Sequence, residues 1–300
     1  MMVAMELPAD VRGEIRYDEP MSKHTSWRVG GPAETFFRPA DLDDLSEFLR
    51  ELPVDVPVFW FGLGSNLLVR DGGMPGVVIA AAGIFKDLEQ AGERLVRAGV
   101  SVPCTQLARQ CIRWGYGPSE FFAGIPGTVG GALAMNAGAH GGETWERVKR
   151  VLTIDRHGEV HERGPEDYTI GYRSVQGPAG EWFVEALFEF EEGASADMDT
   201  MKAMLDRRKT TQPLGLPSCG SVFRNPPGDH AARLIEASGL KGFRIGGAEV
   251  SEKHANFIIN RDAATASDVE AVINHVQKSV REKHDVELVH EVRIVGRAES

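Results

Sequence analysis

Two glycine-rich segments carry the residues of this chain best suited to bind a phosphate. The first is GLGSN at residues 62–66, and the second is GIPGTVGG at residues 124–131. Glycine lets a ligand approach the main chain closely, and successive N–H groups in such loops can converge on a pyrophosphate. Ser65, Asn66 and Thr128 add side chains that can donate further hydrogen bonds. Tight turns between short strands are the alternative, but two such loops in one chain favour a ligand cradle.

Neither loop has the spacing of the Rossmann dinucleotide fingerprint. The pattern G-x-G-x-x-G begins correctly at Gly62 and Gly64, but Leu67 stands at the third glycine position. No acidic residue lies at the end of a second strand, where it would bind the ribose. The block at 124–131 has a different glycine spacing again. The sequence therefore argues against a Rossmann fold while keeping the phosphate-binding chemistry.

The elements that must position these loops are short strands before the second loop and longer helices after it. Apolar spacing predicts a helix over residues 104–115 that ends at Gly115, and a hairpin that turns at His157 and Gly158. Further helices are predicted at 198–210, 229–240 and 266–284, and strands at 181–192, 254–260 and 287–296. This order predicts an α+β chain with a smaller C-terminal domain that starts near residue 200.

Composition and charge argue against several classes of function. A net charge of -11 is unsuited to a broad nucleic-acid surface, which needs a cationic stripe. The N-terminus lacks the cationic and apolar regions of a secretory signal, and no apolar run approaches the roughly 20 residues of a membrane helix. Three cysteines without C-x-x-C and nine scattered histidines predict neither disulfides nor a metal site. We expect a cytoplasmic protein with no membrane insertion and no obligatory protein partner.

Six motifs resemble the UDP-N-acetylenolpyruvoylglucosamine reductase family. They are TSWRVGGPA at 25–33, GLGSNLLV at 62–69, GIPGTVGGALAMNAGAHGGE at 124–143, GYRSV at 171–175, QPLGLPSCGSVFRNP at 212–226 and AARLIEASGLKGFRIGGAEVSEKHANFIIN at 231–260. The resemblance covers about residues 20–295. It implies a flavoenzyme of peptidoglycan precursor synthesis, with a two-part FAD-binding region of the vanillyl-alcohol-oxidase-like type and a smaller C-terminal α+β substrate domain. The corresponding domains are 1–80, 81–200 and 201–300.

The resemblance implies FAD that is bound without a covalent link. In related flavoproteins a histidine of the first phosphate loop can bond to the flavin, whereas this chain has Asn66 there. Arg173 follows Tyr172 directly, so the chain lacks an extra tyrosine-bearing loop and resembles the shorter subtype. The implied cofactor-binding residues are Gly62, Gly64, Ser65, Asn66, Leu67, Gly124, Ile125, Pro126, Gly127, Thr128, Gly130, Asn136, Gly138 and Ala139.

The implied reaction adds a hydride to an enolpyruvyl double bond that is conjugated with a carboxylate. Negative charge then accumulates on the oxygens, and the forked cation of Arg173 is suited to bind it. The resemblance assigns Ser221 as the donor of the proton that the adjacent carbon needs. Glu291, near the end of the last predicted strand, would donate a hydrogen bond to the enolate if it holds a proton or shares one with Arg173.

Each of these assignments has a competitor in the neighbouring sequence. Ser218 and Cys219 are the alternatives to Ser221 as proton donor, and His290 is the alternative to Glu291. The family also implies residues that bind the substrate, UDP-N-acetylglucosamine enolpyruvate: Lys209 and Asn225 for its diphosphate, and Tyr172 as a lining residue. Lys253 and His254 are further candidates for lining the pocket, and a structural role suits them equally well.

NADPH is the reductant that the family implies. The C-terminal hundred residues are too few for a second dinucleotide fold beside a substrate site, so NADPH and the sugar nucleotide should take turns at the flavin in ping-pong order. An FAD-dependent sugar or hydroxy-acid oxidase on the same scaffold is an alternative, and a flavin-binding protein without catalysis is another. The oxidase has no reason to carry PSCGSVFRNP at 217–226.

Overall fold

The computed structural model describes residues 11–191 and 197–299 of the chain. Its strands are β1 Glu14–Pro20, β2 Pro32–Arg38, β3 Val58–Phe61, β4 Leu67–Val69, β5 Met74–Ala80, β6 Leu88–Gly92, β7 Leu95–Gly99, β8 Gly138–Ala139, β9 Gly142–Glu143, β10 Val148–Asp155, β11 Val160–Arg163, β12 Thr169–Gly171, β13 Ser174–Gln176, β14 Glu181–Glu189, β15 Arg244–Ile245, β16 Ala248–Val250, β17 Ile258–Asn260 and β18 Arg293–Val295. Its α-helices are α1 Leu42–Glu51, α2 Cys104–Trp114, α3 Val129–Ala134, α4 Met198–Thr211, α5 Ala231–Ala237 and α6 Ala266–His284. This mixture of strands and helices confirms the α+β class. Within the described part of the chain, every helix is too short or too polar to cross a lipid bilayer.

The elements predicted from apolar spacing are present, but the strand predicted at 254–260 is reduced to β17, and the ends of other elements shift. Helix α2 stops where Gly115 adopts a φ of +74°, the left-handed conformation that glycine tolerates at helix ends. Strands β10 and β11 form the predicted hairpin, with Gly158 at a φ of +76° in its turn. The last strand is much shorter than predicted, because β18 begins at Arg293. Glu291 therefore lies before the strand and not near its end, which corrects that expectation.

Contacts within the described residues divide the chain into two compact units. The first takes residues of Met1–Tyr17, Thr35–Gly62 and Gly76–Met204, and the second takes residues of Asp18–Glu34, Leu63–Pro75 and Leu205–Ser300. Each unit is therefore assembled from chain segments that are far apart in sequence. The division into domains 1–80, 81–200 and 201–300 stays a prediction.

The first unit is built around an antiparallel sheet with the order β11-β10-β14-β7-β6, and it also contains the parallel pair β3 and β5. Helix α1 begins at Asp41, whose side chain accepts a hydrogen bond from the N–H of Asp44. The apolar face of this helix packs into a buried cluster in which the Phe37 and Phe48 rings stack with centroids 4.0 Å apart. This cluster holds the helix against the strands.

The second unit encloses its own core beneath α5 and α6. Helix α6 begins with a capping box, in which Thr265 accepts from the N–H of Asp268. The short strands β15, β16 and β17 form an antiparallel sheet, and β4 pairs in parallel with β18. Trp27 is fully buried in this core, and its indole N–H donates to the carbonyl of Ile258 at 2.7 Å. An early segment of the chain thus completes a core that residues after 205 mostly build.

The Phe37–Phe48 pair gives a direct test of the core of the first unit. Phe48→Ala should lower the free energy of unfolding by about 3–5 kcal/mol, since it removes a buried aromatic ring and leaves a cavity. Urea denaturation followed by circular dichroism measures this loss. Val54→Ala, at a side chain that is 81% exposed, is the control and should change stability by less than about 0.5 kcal/mol. Equal effects of the two substitutions would contradict this description of the core.

Candidate active site

The second glycine loop of the first unit is held by main-chain hydrogen bonds to the segment before α2. The carbonyl of Gly127 accepts from the N–H of Cys104 at 3.0 Å, and the N–H of Gly130 donates to the carbonyl of Val100 at 2.9 Å. The N–H of Ile125 donates to Phe122 at 3.1 Å. Several N–H groups that the sequence offered to a phosphate are therefore used within the protein. These bonds hold the shape of the loop and leave fewer of its N–H groups for a ligand than the sequence suggests.

Some glycines of this loop are small because the protein itself packs against them. A Cβ atom on Gly130 would lie 2.9 Å from the Cβ of Val100, and one on Gly124 would lie 2.6 Å from the Cβ of Ala139. A Cβ atom on Gly138 would lie 2.5 Å from the carbonyl oxygen of Gly142. A side chain at any of these positions would displace its neighbour. Their small size is explained without a ligand.

Two other glycines leave an open face. A Cβ atom on Gly131 would meet no described atom within 4 Å, although this residue lies inside helix α3. A Cβ atom on Gly62 would meet the hydroxyl oxygen of Thr128 at 3.8 Å, an ordinary contact distance. The start of the first loop therefore lies beside the second loop within the first unit. These open faces are where a flat or extended ligand could contact bare main chain.

The rest of the first loop belongs to the second unit. Gly64 has a φ of +61°, and its carbonyl accepts from the N–H of Ser26 at 3.1 Å. Half-buried Ser65 follows it. The side chain of Asn66 donates to the carbonyl of Glu291 at 3.0 Å, and β4 begins at Leu67. The asparagine predicted to bind the cofactor thus also holds the main chain of a predicted catalytic residue.

Arg173 lies at the tip of the hairpin formed by β12 and β13. Its φ is +53°, a backbone conformation that residues other than glycine rarely adopt. The turn of the hairpin therefore sets the direction in which Arg173 leaves the main chain. Its guanidinium donates to the carbonyls of Asn136 at 3.3 Å and Gly138 at 2.9 Å. The same cation stands 5.1 Å from the centre of the Tyr172 ring, which is half exposed.

Asn136 links this hairpin to the second glycine segment. Its side chain is buried and donates to Glu143 at 2.7 Å and to the carbonyl of Gly171 at 3.3 Å. Its carbonyl oxygen Oδ1 accepts from the N–H of Trp145 at 3.1 Å. The amide is therefore engaged with protein groups on both sides. Through these bonds Asn136 holds the hairpin of Arg173 and the adjoining main chain, and its role as a cofactor contact stays a prediction.

Ser221 and Glu291 lie on neighbouring stretches of main chain in the second unit. Phe223 and His290 form an antiparallel bridge, and the N–H of Glu291 donates to the carbonyl of Val222 at 2.8 Å. Ser221 follows Gly220, which has a φ of +73° and so starts this segment with a sharp turn. Sequence separation hides this proximity, because the glutamate follows the serine by seventy positions.

Two of the alternatives to these residues, Cys219 and His290, occupy structural positions. Cys219 is buried, its thiol donates to the carbonyl of Leu67 at 3.4 Å, and burial raises the pKa of Cys219 to about 12. A thiol in that state belongs to the core and is poorly placed to release a proton. Burial also lowers the pKa of His290, whose ring lies 5.7 Å from that of Phe223. His290 is thus a packing residue of the bridge.

The predicted substrate residues lie at exposed positions. Lys209 lies in the last turn of α4, and its carbonyl accepts from the Lys253 ammonium group at 2.7 Å. This hydrogen bond places a cation at the helix C-terminus, where the helix dipole favours positive charge. Oδ1 of Asn225 accepts from the N–H of Ala231, the first residue of α5, at 3.1 Å. Asn225 therefore has a structural role at the start of that helix.

Sequence reasoning missed one residue of this region, Asn256. It is buried, and its side chain bonds both main-chain groups of Phe223. The signal was an amide near the start of an apolar stretch, ANFIIN at 255–260, which ends in a second amide at Asn260. A buried amide there must find hydrogen-bond partners, but the sequence does not say which.

Two family models match separate parts of the chain. One, described as an FAD binding domain, matches residues 33–164, which contain Gly62, Gly131 and the second glycine loop. The other, described as the C-terminal domain of UDP-N-acetylenolpyruvoylglucosamine reductase, matches residues 212–295 and so contains Ser221 and Glu291. The fold and the loops accordingly define a flavoprotein with a second, substrate-type domain.

Known relatives match along nearly the whole chain. A UDP-N-acetylenolpyruvoylglucosamine reductase of Alkalilimnicola ehrlichii is 62% identical over 96% of this chain and 97% of the relative. One of Methylococcus capsulatus is 55% identical over 99% and 98%. The crystal structure of UDP-N-acetylenolpyruvylglucosamine reductase from Thermus caldophilus is 31% identical, with a TM-score of 0.79 over 94% of this chain and 98% of that one.

The chain belongs to the UDP-N-acetylenolpyruvoylglucosamine reductase family of FAD-dependent oxidoreductases. This membership confirms the resemblance seen in the six motifs, the enzyme class, and the expectation of FAD as cofactor with NADPH as co-substrate. The open faces at Gly62 and Gly131 fit such a cofactor, because they offer bare main chain in loops that the protein already holds rigid.

Adjacent glycines of the second loop separate packing from cofactor binding. Gly131→Ala should leave the thermal unfolding of the FAD-free protein unchanged or slightly higher, because alanine is a better helix former than glycine and meets no neighbour. It should weaken FAD binding at least about tenfold, equivalent to about 1.4 kcal/mol. Quenching of flavin fluorescence on titration measures the affinity.

Gly130→Ala is the matched control for this prediction. Its methyl group would collide with Val100, so the FAD-free protein itself should unfold at lower temperature. An unchanged FAD affinity in Gly131→Ala would show that its open face does not receive the cofactor.

Proposed function

We propose that this protein reduces the enolpyruvyl group of UDP-N-acetylglucosamine enolpyruvate to a lactyl ether, giving UDP-N-acetylmuramate at the expense of NADPH. Family membership supports the reaction class. The observation that carries the proposal is the pairing of main chain that brings Ser221 beside the segment of Glu291, in a fold that also has an FAD-binding region. FAD, when bound, supplies the chemistry of accepting a hydride from NADPH and delivering it to the substrate.

Residues of both glycine loops hold FAD in this proposal. Gly62, Gly131 and Thr128 offer the open main chain and hydroxyl described above. Ser65, Asn66 and the other loop residues named from the family resemblance keep their proposed role as cofactor contacts. The engaged side chain of Asn136 and the packed Gly130 contribute by keeping the loops in shape.

Arg173 binds the carboxylate of the enolpyruvyl group. Its guanidinium donates to the carbonyls of Asn136 and Gly138, and these two bonds hold its direction. Since guanidinium geometry matches a carboxylate with two parallel hydrogen bonds, the cation also stabilises the negative charge that develops during hydride addition. Tyr172 beside it lines the site.

Ser221 donates the proton that completes the reduction. Hydride addition to the terminal carbon of the double bond leaves an enolate, and the Oγ proton of Ser221 then passes to the adjacent carbon. The Glu291 carboxyl group donates a hydrogen bond to the enolate oxygen when it carries a proton. The main-chain bond between Val222 and Glu291 keeps the two segments at a fixed distance, which this division of labour requires.

Lys209 and Asn225 bind the substrate diphosphate in this proposal. The ammonium group of Lys209 supplies the charge. Oδ1 of Asn225 already accepts from the first N–H of helix α5, so its Nδ2 group is the part suited to donate to a phosphate oxygen. A cytoplasmic location fits these substrates, because NADPH and nucleotide sugars are highly charged molecules of that compartment.

The reaction can be tested through the colour of the flavin. The FAD-loaded protein should be yellow, should lose its absorbance near 450 nm when NADPH is added without oxygen, and should regain it when UDP-N-acetylglucosamine enolpyruvate follows. Initial rates should give parallel double-reciprocal lines, because the two substrates react in turn. Reoxidation by oxygen with a sugar as reductant, and none by the enolpyruvyl substrate, would favour the oxidase alternative instead.

Ser221→Ala should separate the two halves of the reaction. Reduction of the flavin by NADPH should stay within about threefold of the parent rate, because no proton from Ser221 is needed there. Reoxidation by the enolpyruvyl substrate should slow by about 10²–10⁴-fold, the usual contribution of a general acid. Ser218→Ala is the control, since it removes a hydroxyl three residues away. Stopped-flow absorbance measures both rates, and equal losses in both half-reactions would rule out Ser221 as the proton donor.

A further inference from the structure

Asn256 forms an unusually complete set of bonds to the segment that carries Ser221. Its Nδ2 group donates to the carbonyl of Phe223 at 2.8 Å, and its Oδ1 accepts from the N–H of the same residue at 3.0 Å. Its own main-chain carbonyl accepts from the N–H of Val222 at 2.9 Å. The residue is 4% exposed, so these bonds lie away from water. The next residue after Ser221 and the one after that are thus both bound to a single asparagine.

The bonds of Asn256 matter because the main chain of residues 222–223 pairs only briefly with its other neighbour, the segment of His290 and Glu291. Phe223 meets His290 in an isolated bridge, not in a continuous ladder of strands. An amide side chain presents one donor and one acceptor in a plane, so it can satisfy both main-chain groups of a residue as a neighbouring strand would. Asn256 therefore takes the place of a missing strand beside Phe223.

The segment of Val222 and Phe223 also sets the position of Glu291. The N–H of Glu291 donates to the carbonyl of Val222 at 2.8 Å, so any shift of Val222 moves Glu291 or breaks that bond. Val222 and Phe223 are both buried in the core of the second unit, where small displacements of packed groups are resisted. Asn256 binds the edge of this segment that the bridge leaves unpaired, and it is linked to Glu291 only indirectly, through Val222.

We propose that Asn256 is a positioning residue for protonation of the substrate, acting through Val222 and Phe223 on Ser221 and Glu291. This inference rests on the proposed function, because it takes the roles of those two residues from there. Asn256 holds the Ser221 segment in place from one edge, and Glu291 is bonded to the same segment at Val222, so a shift of this segment changes the geometry of proton transfer. A displacement of about 1 Å in such a site can cost about 10²-fold in rate.

The test compares Asn256→Asp and Asn256→Ser in the FAD-loaded full chain. The aspartate keeps an acceptor for the N–H of Phe223 and loses the donor to its carbonyl, whereas the serine is too short to reach both groups. In each variant, flavin reduction by NADPH should stay within about threefold of the parent. Reoxidation by the enolpyruvyl substrate should slow by about 10²-fold. Stopped-flow absorbance gives both rates.

Asn260→Asp is the matched control in the same unit. Its Nδ2 donates to the carbonyl of Trp27 at 2.9 Å and its Oδ1 accepts from the N–H of Ala264 at 2.9 Å, so it makes the same kind of bridge elsewhere. Both the Asn256 variants and this control should unfold at lower temperature than the parent, because each loses a buried or part-buried hydrogen bond. The control should keep the rates of both half-reactions within about threefold of the parent.

The outcomes separate this inference from the proposed function. If the parent protein is not reduced by NADPH, or is not reoxidised by the enolpyruvyl substrate, the proposed function is wrong. If the parent performs both steps while the Asn256 variants lose both equally, lose neither, or fail to retain FAD, the positioning role is overturned and the proposed function stands. The same selective loss in Asn260→Asp would also overturn it.

Discussion

One short stretch of paired main chain in the second unit holds the two residues that we propose for protonation of the substrate. Val222 accepts from the N–H of Glu291, and Ser221 precedes it by one residue. Because this pairing is a single bridge, its precision comes from what surrounds it. The buried side chains of Val222 and Phe223 anchor it from within the core, Asn256 satisfies its open face, and Asn66 binds the carbonyl of Glu291. A weak local element is made rigid by its neighbours.

The glycines of these loops have two different roles: some make room for neighbouring protein atoms, and others leave the main chain open to a ligand. Gly124, Gly130 and Gly138 are small because protein atoms occupy the space where a side chain would stand. Gly131 and Gly62 instead leave main chain accessible. Glycine density alone therefore marks a place where backbone is approached closely, and it does not say whether a ligand or the protein makes the approach. The direction of each missing Cβ atom decides between them.

Local patterns predicted the local structure well. Helix α2, its end at Gly115 and the hairpin of β10 and β11 follow from apolar spacing and from glycine at the turn. The motifs also identified the family and so the chemistry. The position of Glu291 was predicted less well, because "ELVHEVRIVG" alternates like a strand while its first residues pair through one bridge. The role of Asn256 was missed, since its partners at 222 and 223 lie more than thirty residues away and no periodicity marks them.

The burial of Trp27 has a consequence for how the protein is made. This residue leaves the ribosome early, yet its indole binds Ile258 and its core is completed by α6. At about 5–20 residues per second, the intervening stretch takes roughly ten to fifty seconds to synthesise. Throughout that interval a large aromatic side chain waits without its partners, exposed to chaperones and to other nascent chains. The order of translation thus keeps the second unit unfinished until α6 has been synthesised.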